Sequence, residues 1–424
     1  MANSQVEIIL EEIIKPSFPT PHDLRTLKHS LLDLHEGYGF VPLVFFYQSH
    51  PSLKFDDLRI SQQLKQSLSE TLPKFYPFAG RCNGNNNNFS IDCNDSGVLY
   101  VEAKVHADLS YAIQRSTSTD DLIQYLPPGT SQSTWTDGLT NEYQLAVQIN
   151  FFKCGSIAIG VCLSHLVADM FTFLTFMNSW ASKYNGTQIE TIQPNFEMGY
   201  KLFPMPDQVE VPEEVPEFFT KQKTVMKRFV FDKETLEGMK KLVSSRSTCH
   251  NPTKVETVSA FIWKHIIDIT NAKNPTKSVF GAFHAVDLRC RISQQPLSNA
   301  MGNFAILTMA QAELEDAKDY CNLVAPLRAA IRKDYNNLDL TTPNEPNTGY
   351  CMFSSWCKFP FYEVDYGWGK PYIVCNVAFP FKNGVILMDT KCGDGVEAWI
   401  SMAEDEMELL PKEFLALENN DFSK

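Results

Sequence analysis

The chain has 424 residues, of which 44% are hydrophobic and 12% aromatic, and it carries a formal net charge of −13 at pH 7. That length is enough for two domains, because single hydrophobic cores stop growing near ~250–300 residues. The acidic balance argues against a nucleic-acid-binding protein, whose affinity comes largely from lysine and arginine side chains that neutralise phosphates, so any anionic ligand must meet a local basic patch.

The N-terminal stretch MANSQVEIILEEII has no basic residue ahead of its apolar part, which argues against a secretory signal. No segment approaches the ~18 uninterrupted apolar residues of a membrane span. The eleven cysteines form no CxxC pair, and their odd number fits reduced thiols better than disulfides or a zinc site. We therefore expect a cytoplasmic protein with no bound metal and no nucleic-acid or membrane partner.

The first half of the chain alternates short apolar runs with longer amphipathic patterns, which predicts mixed α and β structure. The segment DDLRISQQLKQSLSETLPKF has apolar residues at the three-to-four spacing of an amphipathic helix. The predicted strands of this half cover residues 5–11, 41–48, 89–93, 97–103, 143–152 and 156–163.

Residues 202–224 contain four prolines among acidic residues, a composition that excludes regular helix and favours exposure to solvent. We predict an interdomain crossover there, between an N-terminal domain of residues 1–201 and a C-terminal domain of residues 225–424. In the C-terminal half, strands are predicted over TVMKRFVF, SVFGAFHAVDL, MGNFAILTM, GVILMDT and VEAWISM, and helices from Asp232, over TKVETVSAFIWKHIIDIT and from Ala403.

The pattern HxxxD occurs twice, in HSLLD at residues 29–33 and in SHLVADM at residues 164–170. The second copy follows the apolar run SIAIGVCLS and precedes DMFTFLTFMNSW, whose apolar residues repeat at helical spacing. His165 is therefore predicted at a strand-to-helix junction that presents it to a cleft, with Asp169 favouring the first helical turn. HSLLD lacks such flanking segments, so an ordinary structural role is predicted for His29. By itself, the second copy fits a buried, hydrogen-bonded histidine as well as a catalytic one.

A further motif, DYGWGKP, occupies residues 365–371, with Gly367 and Gly369 on either side of Trp368. Two glycines around a tryptophan sacrifice side-chain packing and are typical of a tight turn or a close backbone approach. Asp365 is predicted to hold this turn, because turn aspartates commonly accept hydrogen bonds from nearby backbone amides.

Together the two motifs resemble HxxxD and DFGWG, the hallmarks of the plant BAHD acyltransferases, with Tyr366 as a conservative replacement for phenylalanine. The resemblance covers essentially the whole chain, through EEIIKPSFPTP, FYPFAGR, DCNDSGV, AVDLRCR, MGN and DTKCGDGVEAWISMAEDEM. The last of these and SSWCKFPFYEVDYGWGKP look most similar to the branch that acetylates alkaloids. The family resemblance implies a mixed α/β fold of two domains similar to chloramphenicol acetyltransferase, with a solvent channel between them. It also implies a monomer that binds an acyl-CoA and a small alcohol.

The resemblance implies that His165 is a general base, since a neutral imidazole, whose pKa is ordinarily near ~6.5, can take a proton from an acceptor hydroxyl. The activated oxygen would attack the thioester of acetyl-CoA as co-substrate, and the CoA thiolate would leave without a covalent acyl-enzyme. Asn303 and the indole of Trp368 are the candidate hydrogen-bond donors to the oxyanion. No permanently bound cofactor is needed.

For Asp169 the resemblance implies a structural role, with the carboxylate turned away from the histidine and paired to Arg289. Its replacement should then damage folding as much as turnover, because breaking a buried ion pair costs ~3–5 kcal/mol. For CoA, a helix N-terminus together with a cation suits a phosphate. The candidate contacts are Thr253, Lys254 and Arg291.

Of three interpretations we adopt the first and keep the other two as alternatives. The first is acetyl transfer to a hydroxyl of an alkaloid of the monoterpene indole type, and the second keeps the enzyme class but uses malonyl- or benzoyl-CoA, or a phenolic or terpenoid alcohol. The third is a non-catalytic binding partner of the same fold, against which the intact His165 and Asp169 argue. Condensation domains of peptide synthetases share the fold but typically carry HHxxxDG, whereas Ser164 and Met170 occupy those positions here.

Overall fold

The structure is a computed structural model with two six-stranded sheets and one three-stranded sheet in the part of the chain that it describes. The mixed α/β class predicted from the sequence is confirmed. The described residues are 6–35, 39–49, 57–83, 90–115, 119–129, 143–187, 192–205, 224–292, 297–333, 335, 348–377 and 381–418.

Strands supply the framework of both halves of the chain. In chain order they are β1 Val6–Ile14, β2 Thr26–Lys28, β3 Phe40–Tyr47, β4 Arg81–Asn83, β5 Ser90–Asp92, β6 Val98–Val105, β7 Leu145–Phe152, β8 Ile157–Ser164, β9 Thr224–Phe231, β10 Val279–Asp287, β11 Ala305–Glu313, β12 Thr348–Ser355, β13 Ile373–Asn376, β14 Gly384–Asp389 and β15 Val396–Ala403.

Helices connect and cover these strands. They are α1 Leu31–His35, α2 Asp57–Thr71, α3 Leu109–Arg115, α4 Met170–Asn185, α5 Met198–Leu202, α6 Lys233–Arg246, α7 Lys254–Lys273, α8 Tyr320–Ile331, α9 Glu404–Met407 and α10 Lys412–Leu415. Short 3-10 turns lie at His22–Leu24, Tyr76–Ala79, Thr119–Tyr125, Asp316–Lys318 and Phe361–Glu363.

The first sheet has the strand order β1-β6-β7-β8-β3-β13, and the second has the order β11-β10-β12-β14-β15-β9. The small sheet has the order β2-β5-β4. Strand β13 comes from the C-terminal half of the chain, yet it pairs antiparallel with β3 at the edge of the first sheet. The C-terminal half therefore contributes one strand to the first sheet.

Strands β7 and β8 are buried along their whole length, which explains why their sequences are continuous apolar runs rather than alternating ones. Helices α2 and α4 pack together, and the indole N–H of Trp180 in α4 donates to the carbonyl oxygen of Leu64 in α2 at 3.2 Å. The same hydrophobic cluster includes Ile386, Met388 and Trp399 of the second sheet. The core of the first half thus extends to strands of the second.

Three predicted helix starts in the C-terminal half are confirmed, and two of them have a side chain that caps the first turn. Asp232 accepts the backbone N–H of Thr235 at 2.8 Å and begins α6. Thr253 begins α7 in a capping box with Glu256, in which each side chain accepts the other residue's backbone N–H. The acidic helix predicted from Ala403 is α9, and it ends at Met407 after one turn.

One predicted strand begins later than expected, and the predicted crossover is mostly outside the described part of the chain. The strand predicted over MGNFAILTM begins only at Ala305, because Gly302 has a φ of 104° and the preceding residues form a turn. The predicted crossover at 202–224 lies mostly outside the described residues, so the domain boundaries there stay a prediction. Among the described residues, no helix combines the length and the apolar character needed to cross a bilayer.

Candidate active site

His165 lies at the junction between β8, which ends at Ser164, and α4, which begins at Met170. Its backbone N–H donates to the carbonyl oxygen of Gly39 at 2.7 Å. Its own carbonyl oxygen accepts the side-chain amide of Asn303 at 2.6 Å. The peptide groups on both sides of the half-buried histidine are therefore fixed by segments far away in the sequence.

Asp169 is the N-cap of α4 and accepts the backbone N–H of Thr172 at 3.0 Å. Its two carboxylate oxygens also receive the guanidinium of Arg289, at 2.6 Å and 3.1 Å. The exposed fractions of the two side chains are 4% for Arg289 and 10% for Asp169. A bidentate ion pair that is almost shielded from water holds the carboxylate strongly. It joins the HxxxD loop, residues 165–169, to the segment after β10.

The guanidinium of Arg289 is held from several sides. It donates to the carbonyl oxygens of Ala300 and Gly302 at 2.9 Å and 3.2 Å, and it lies over the ring of Phe171 at 4.4 Å from the centroid. The neighbouring Asp287 is affected as well: burial raises the pKa of its carboxyl, against the lowering effect of the Arg289 charge. Arg289 therefore organises the loop around itself rather than lying on the surface.

Asn303 contacts the loop that carries His165, and protein groups accept both hydrogen bonds that its side chain can donate. Its side-chain amide nitrogen donates to Asp33 Oδ1 at 2.9 Å and to the His165 carbonyl oxygen at 2.6 Å. A primary amide has only two N–H bonds, so both donors are used. The sequence-based assignment of Asn303 as an oxyanion donor does not fit this geometry and is corrected to a contact with the His165 backbone.

The first HxxxD copy, HSLLD, lies next to the second one in space. Asp33 is 8% exposed and accepts the backbone N–H and the hydroxyl of Ser30 at 2.6 Å and 2.7 Å. His29 is 1% exposed, and burial lowers the pKa of its imidazole, against the raising effect of Asp33. Sequence reasoning missed the contact between Asp33 and Asn303 because 270 residues separate them. The repeated HxxxD pattern was the signal available.

The DYGWG segment forms the turn that the sequence suggests. The carboxylate of Asp365 accepts the backbone N–H groups of Gly367 and Gly369 at 2.7 Å and 3.0 Å. Both glycines have positive φ angles, 95° and 113°, a region that side chains with a Cβ rarely adopt. The carbonyl oxygen of Asp365 accepts the side chain of Asn185 at 2.9 Å, at the last residue of α4.

Trp368 lies far from His165. Its ring packs against Tyr184 at a centroid distance of 4.8 Å and against Tyr47 at 5.9 Å, and both partners are at the opposite ends of elements that begin beside His165. From Asp169 to Tyr184 the helix alone spans roughly 22 Å at about 1.5 Å per residue. The assignment of the Trp368 indole as an oxyanion donor is therefore wrong, and its role is to pack the DYGWG turn onto α4.

The candidate CoA contacts are occupied by other groups. The hydroxyl of Thr253 accepts the backbone N–H of Glu256 at 3.1 Å as part of the helix cap. Lys254 forms an ion pair with Asp389 at 2.5 Å and donates to the carbonyl oxygen of Gly393 at 3.2 Å.

Arg291, the third candidate contact, is held at a different place. It donates to the carbonyl oxygen of Ile331 at the end of α8 and lies over the ring of Tyr335 at 5.2 Å. None of these contacts involves the HxxxD loop directly. Both cations would have to exchange a present partner for a phosphate.

Comparison with known proteins gives consistent results. A family model described as the Transferase family matches residues 4–417. The chain is 44% identical over 428 residues to vinorine synthase from Rauvolfia serpentina, with 99% of each chain covered. It is also 44% identical over 435 residues to stemmadenine O-acetyltransferase from Catharanthus roseus, again with 99% of each covered.

A more distant relative and a solved structure extend this comparison. Acetyl-CoA-benzylalcohol acetyltransferase from Clarkia breweri is 32% identical over 426 residues, covering 94% of this chain and 95% of the relative. The crystal structure of vinorine synthase matches with a TM-score of 0.86 at 42% identity, covering 99% of this chain and 100% of that one. The similarity therefore extends through the whole architecture.

Proposed function

The chain belongs to the BAHD Transferase family of acyl-CoA-dependent O-acyltransferases, and we propose that it transfers the acetyl group of acetyl-CoA to a hydroxyl of a plant alkaloid of the monoterpene indole type. The observation that carries this proposal is the 44% identity to stemmadenine O-acetyltransferase over 99% of both chains. The equal identity to vinorine synthase supports the same branch of the family.

In the proposed reaction, His165 takes the proton of the acceptor hydroxyl as that oxygen forms a bond to the thioester carbonyl carbon. A tetrahedral oxyanion results, and its collapse breaks the carbon–sulfur bond and releases the CoA thiolate. The imidazolium of His165 then returns its proton to the solvent or to the thiolate. Both substrates are bound together, and no acyl-enzyme forms.

The contacts of Asp169 argue against a role as the carboxylate that orients the His165 imidazole. In a Ser-His-Asp triad the carboxylate accepts the imidazole N–H, whereas the Asp169 oxygens receive Arg289, Thr172 and, at 3.2 Å, the backbone N–H of Phe304. Asp169 is then a structural residue that fixes where α4 begins. We assign the same kind of role to Asp365, Gly367 and Gly369 in their turn.

For CoA, we propose that the first turn of α7 meets a phosphate, since the free backbone amides of a helix N-terminus favour an anion. Lys254 would leave Asp389 for that phosphate, at little cost because both side chains are more than one-fifth exposed. Thr253 would contribute by capping the helix, and Arg291 would supply a second cation. The donor would remain a co-substrate rather than a resident cofactor.

The experiment that tests this proposal measures thiol release from acetyl-, malonyl- and benzoyl-CoA with a panel of alkaloid alcohols, phenolics, benzylic alcohols and terpenols. We expect release with acetyl-CoA and an alkaloid alcohol, and a loss of roughly 10²–10⁴-fold in kcat for His165→Ala. The variant should keep the wild-type unfolding midpoint. Near wild-type turnover by His165→Ala would overturn the assignment of the base.

A second acceptor class has an observation in its favour. The relative named acetyl-CoA-benzylalcohol acetyltransferase uses, by its name, a simple aromatic alcohol with the same donor. Turnover of only the phenolic or benzylic members of the panel would move the acceptor assignment to that class. Absence of turnover with every acyl-CoA tested would favour a non-catalytic binding protein of the same fold.

A further inference from the structure

The HSLLD segment does more than begin a short helix, because it is in contact with the loop that carries His165. We propose that Asp33 is a positioning residue for the acyl transfer: acting through the amide of Asn303, it fixes the backbone carbonyl of His165 and so the direction of the imidazole. This inference rests on the proposed function, and it concerns the same site.

The contact runs through two consecutive hydrogen bonds that share one nitrogen. Asn303 Nδ2 donates to Asp33 Oδ1 at 2.9 Å and to the His165 carbonyl oxygen at 2.6 Å. Asn303 is 1% exposed and Asp33 is 8% exposed. Water therefore cannot easily replace either partner, and loss of one bond would leave a buried polar group unpaired.

The histidine backbone is held on both sides by this region. Its N–H donates to the carbonyl oxygen of Gly39, which lies a few residues after α1. Its carbonyl oxygen is held by Asn303. Fixing both peptide groups restricts the backbone angles of His165, and the imidazole direction follows from them.

The carboxylate of Asp33 fits this position for a chemical reason. An ionised carboxylate only accepts hydrogen bonds, and each contact that the structure gives it comes from a donor. The N–H and hydroxyl of Ser30 donate to Oδ2, and the side-chain amide and, at 3.4 Å, the backbone N–H of Asn303 donate to Oδ1. Facing an acceptor, the Asn303 amide must present its nitrogen. The same nitrogen then reaches the His165 carbonyl.

Packing alone does not immobilise this loop. A small cavity borders Leu166 and Val167, the two residues after the histidine, and also Asp33 and Asn303. With free space beside it, the loop can shift when its hydrogen bond is removed. A misplacement of about 1 Å can cost roughly 10²-fold in rate when reacting groups must be aligned.

The test compares Asp33→Ala, Asp33→Asn and Asn303→Ala with Ser30→Ala as a matched control. Ser30→Ala removes a hydrogen bond to the same carboxylate but leaves the Asn303 branch intact. The assay uses acetyl-CoA and the alcohol of the panel that the wild type acetylates fastest, with kcat, KM and the urea unfolding midpoint measured for each variant.

We expect kcat to fall about 10- to 100-fold in Asp33→Ala and Asn303→Ala, while KM for acetyl-CoA changes less than about twofold. Asp33→Asn, which keeps an acceptor oxygen, should recover part of kcat. A double variant that combines Asp33→Ala with Asn303→Ala should be no slower than the worse single variant, because both changes remove the same connection. Ser30→Ala should stay within about twofold of wild-type kcat.

The opposite outcome is distinct. If Asp33→Ala and Asn303→Ala lower the unfolding midpoint but keep kcat like Ser30→Ala, the residues are only structural and the inference is wrong. Should Asp33→Ala fail to fold, Asp33→Asn and Asn303→Ala decide by the same criterion. If the wild type itself releases no thiol, the proposed function fails; if wild type and His165→Ala behave as proposed and these variants do not, this inference alone fails.

Discussion

Asp169 and His165 are four residues apart, but the structure gives them different surroundings. His165 has a half-buried side chain, and hydrogen bonds hold the peptide groups on both sides of it. The carboxylate of Asp169 instead accepts hydrogen bonds from Arg289, Thr172 and Phe304. The chemistry of a residue therefore depends on which partners reach it, and a motif name such as HxxxD does not distinguish these two roles.

Replacing Asp169 with alanine should destabilise the protein by about 3–5 kcal/mol, because the buried Arg289 guanidinium loses its bidentate partner and keeps only the longer contact with Asp287 at 3.2 Å. Urea unfolding measures this loss. Glu197→Gln is the control, since the Glu197–Lys201 pair is about half exposed and such pairs contribute little. A stable Asp169→Ala variant with a large loss in kcat would instead indicate that Asp169 orients the imidazole.

His284 gives a prediction about pH. Its ring stacks on Phe353 with 4.7 Å between centroids, and burial lowers the pKa of the imidazole to about 3. The unfolded chain, with an ordinary pKa near ~6.5, binds the proton more readily between these values. Stability is therefore fully present above pH ~6.5 and falls on acidification by about 1.4 kcal/mol per unit, roughly 2 kcal/mol by pH 5.

The measurement is the free energy of unfolding against pH for wild type and His284→Leu. Burial also lowers the pKa values of His29 and His265, so both proteins should lose stability in acid. The difference between them isolates His284, and the variant should have the shallower curve. Parallel curves between pH 5 and pH 7 would show that His284 is not protonated on unfolding.

At the scale of single elements, strand β8 and helix α6 each contain a glycine whose surroundings differ. A Cβ on Gly160 of β8 would lie 2.0 Å from the carbonyl oxygen of Tyr125, in the turn that covers the sheet. A Cβ on Gly238 of α6 would meet nothing within 4 Å. One glycine is required by a close approach of backbone, and the other is not.

We expect Gly160→Ala to destabilise the protein by about 1–3 kcal/mol or more, because backbone must move to admit the methyl group. Gly238→Ala should stabilise it by about 0.5–1 kcal/mol, since alanine is the better helix former. Thermal or urea unfolding of the two variants gives both signs. A neutral Gly160→Ala would mean that the turn at Thr119–Tyr125 shifts without cost.

Elements with a strong local signal were predicted well. The strand TVMKRFVF matches β9 at Thr224–Phe231, and the predicted helix 56–75 matches α2 at Asp57–Thr71. Strand β13 was missed because its four residues, IVCN, have no period of their own and become a strand only by pairing with β3. Local pattern carries no information about such a long-range partner.

The candidate site shows the same limit at larger scale. The resemblance implied the pair Asp169–Arg289, and the structure has that ion pair. The contacts of Asn303 and the remote place of Trp368 depended on how loops from both halves meet, which no spacing in the sequence encodes. The monomeric state, the cytoplasmic location and the acceptor also stay predictions.

For the whole molecule, β13 and the turn before it join the two halves. The side-chain hydroxyl of Tyr47 in β3 donates to the carbonyl oxygen of Val364 at 3.0 Å. The backbone N–H of Tyr372 donates to the carbonyl oxygen of Phe46 at 2.7 Å. Between these contacts lies the turn that Asp365 closes. The carboxylate of Asp365 therefore helps to hold β13 in the first sheet.

In Asp365→Ala, β13 should open locally at a lower free energy than the rest of the chain. Loss of two hydrogen bonds from the Gly367 and Gly369 amides removes about 1–3 kcal/mol, so amide exchange over Ile373–Asn376 should accelerate roughly 10- to 100-fold, a tenfold change corresponding to about 1.4 kcal/mol. Hydrogen–deuterium exchange with mass spectrometry measures this.

The control is Glu363→Gln, which removes only an exposed ion pair with Lys370. Because the turn is remote from His165, kcat should fall far less than in His165→Ala; equal losses of kcat would place the DYGWG segment in the chemistry after all.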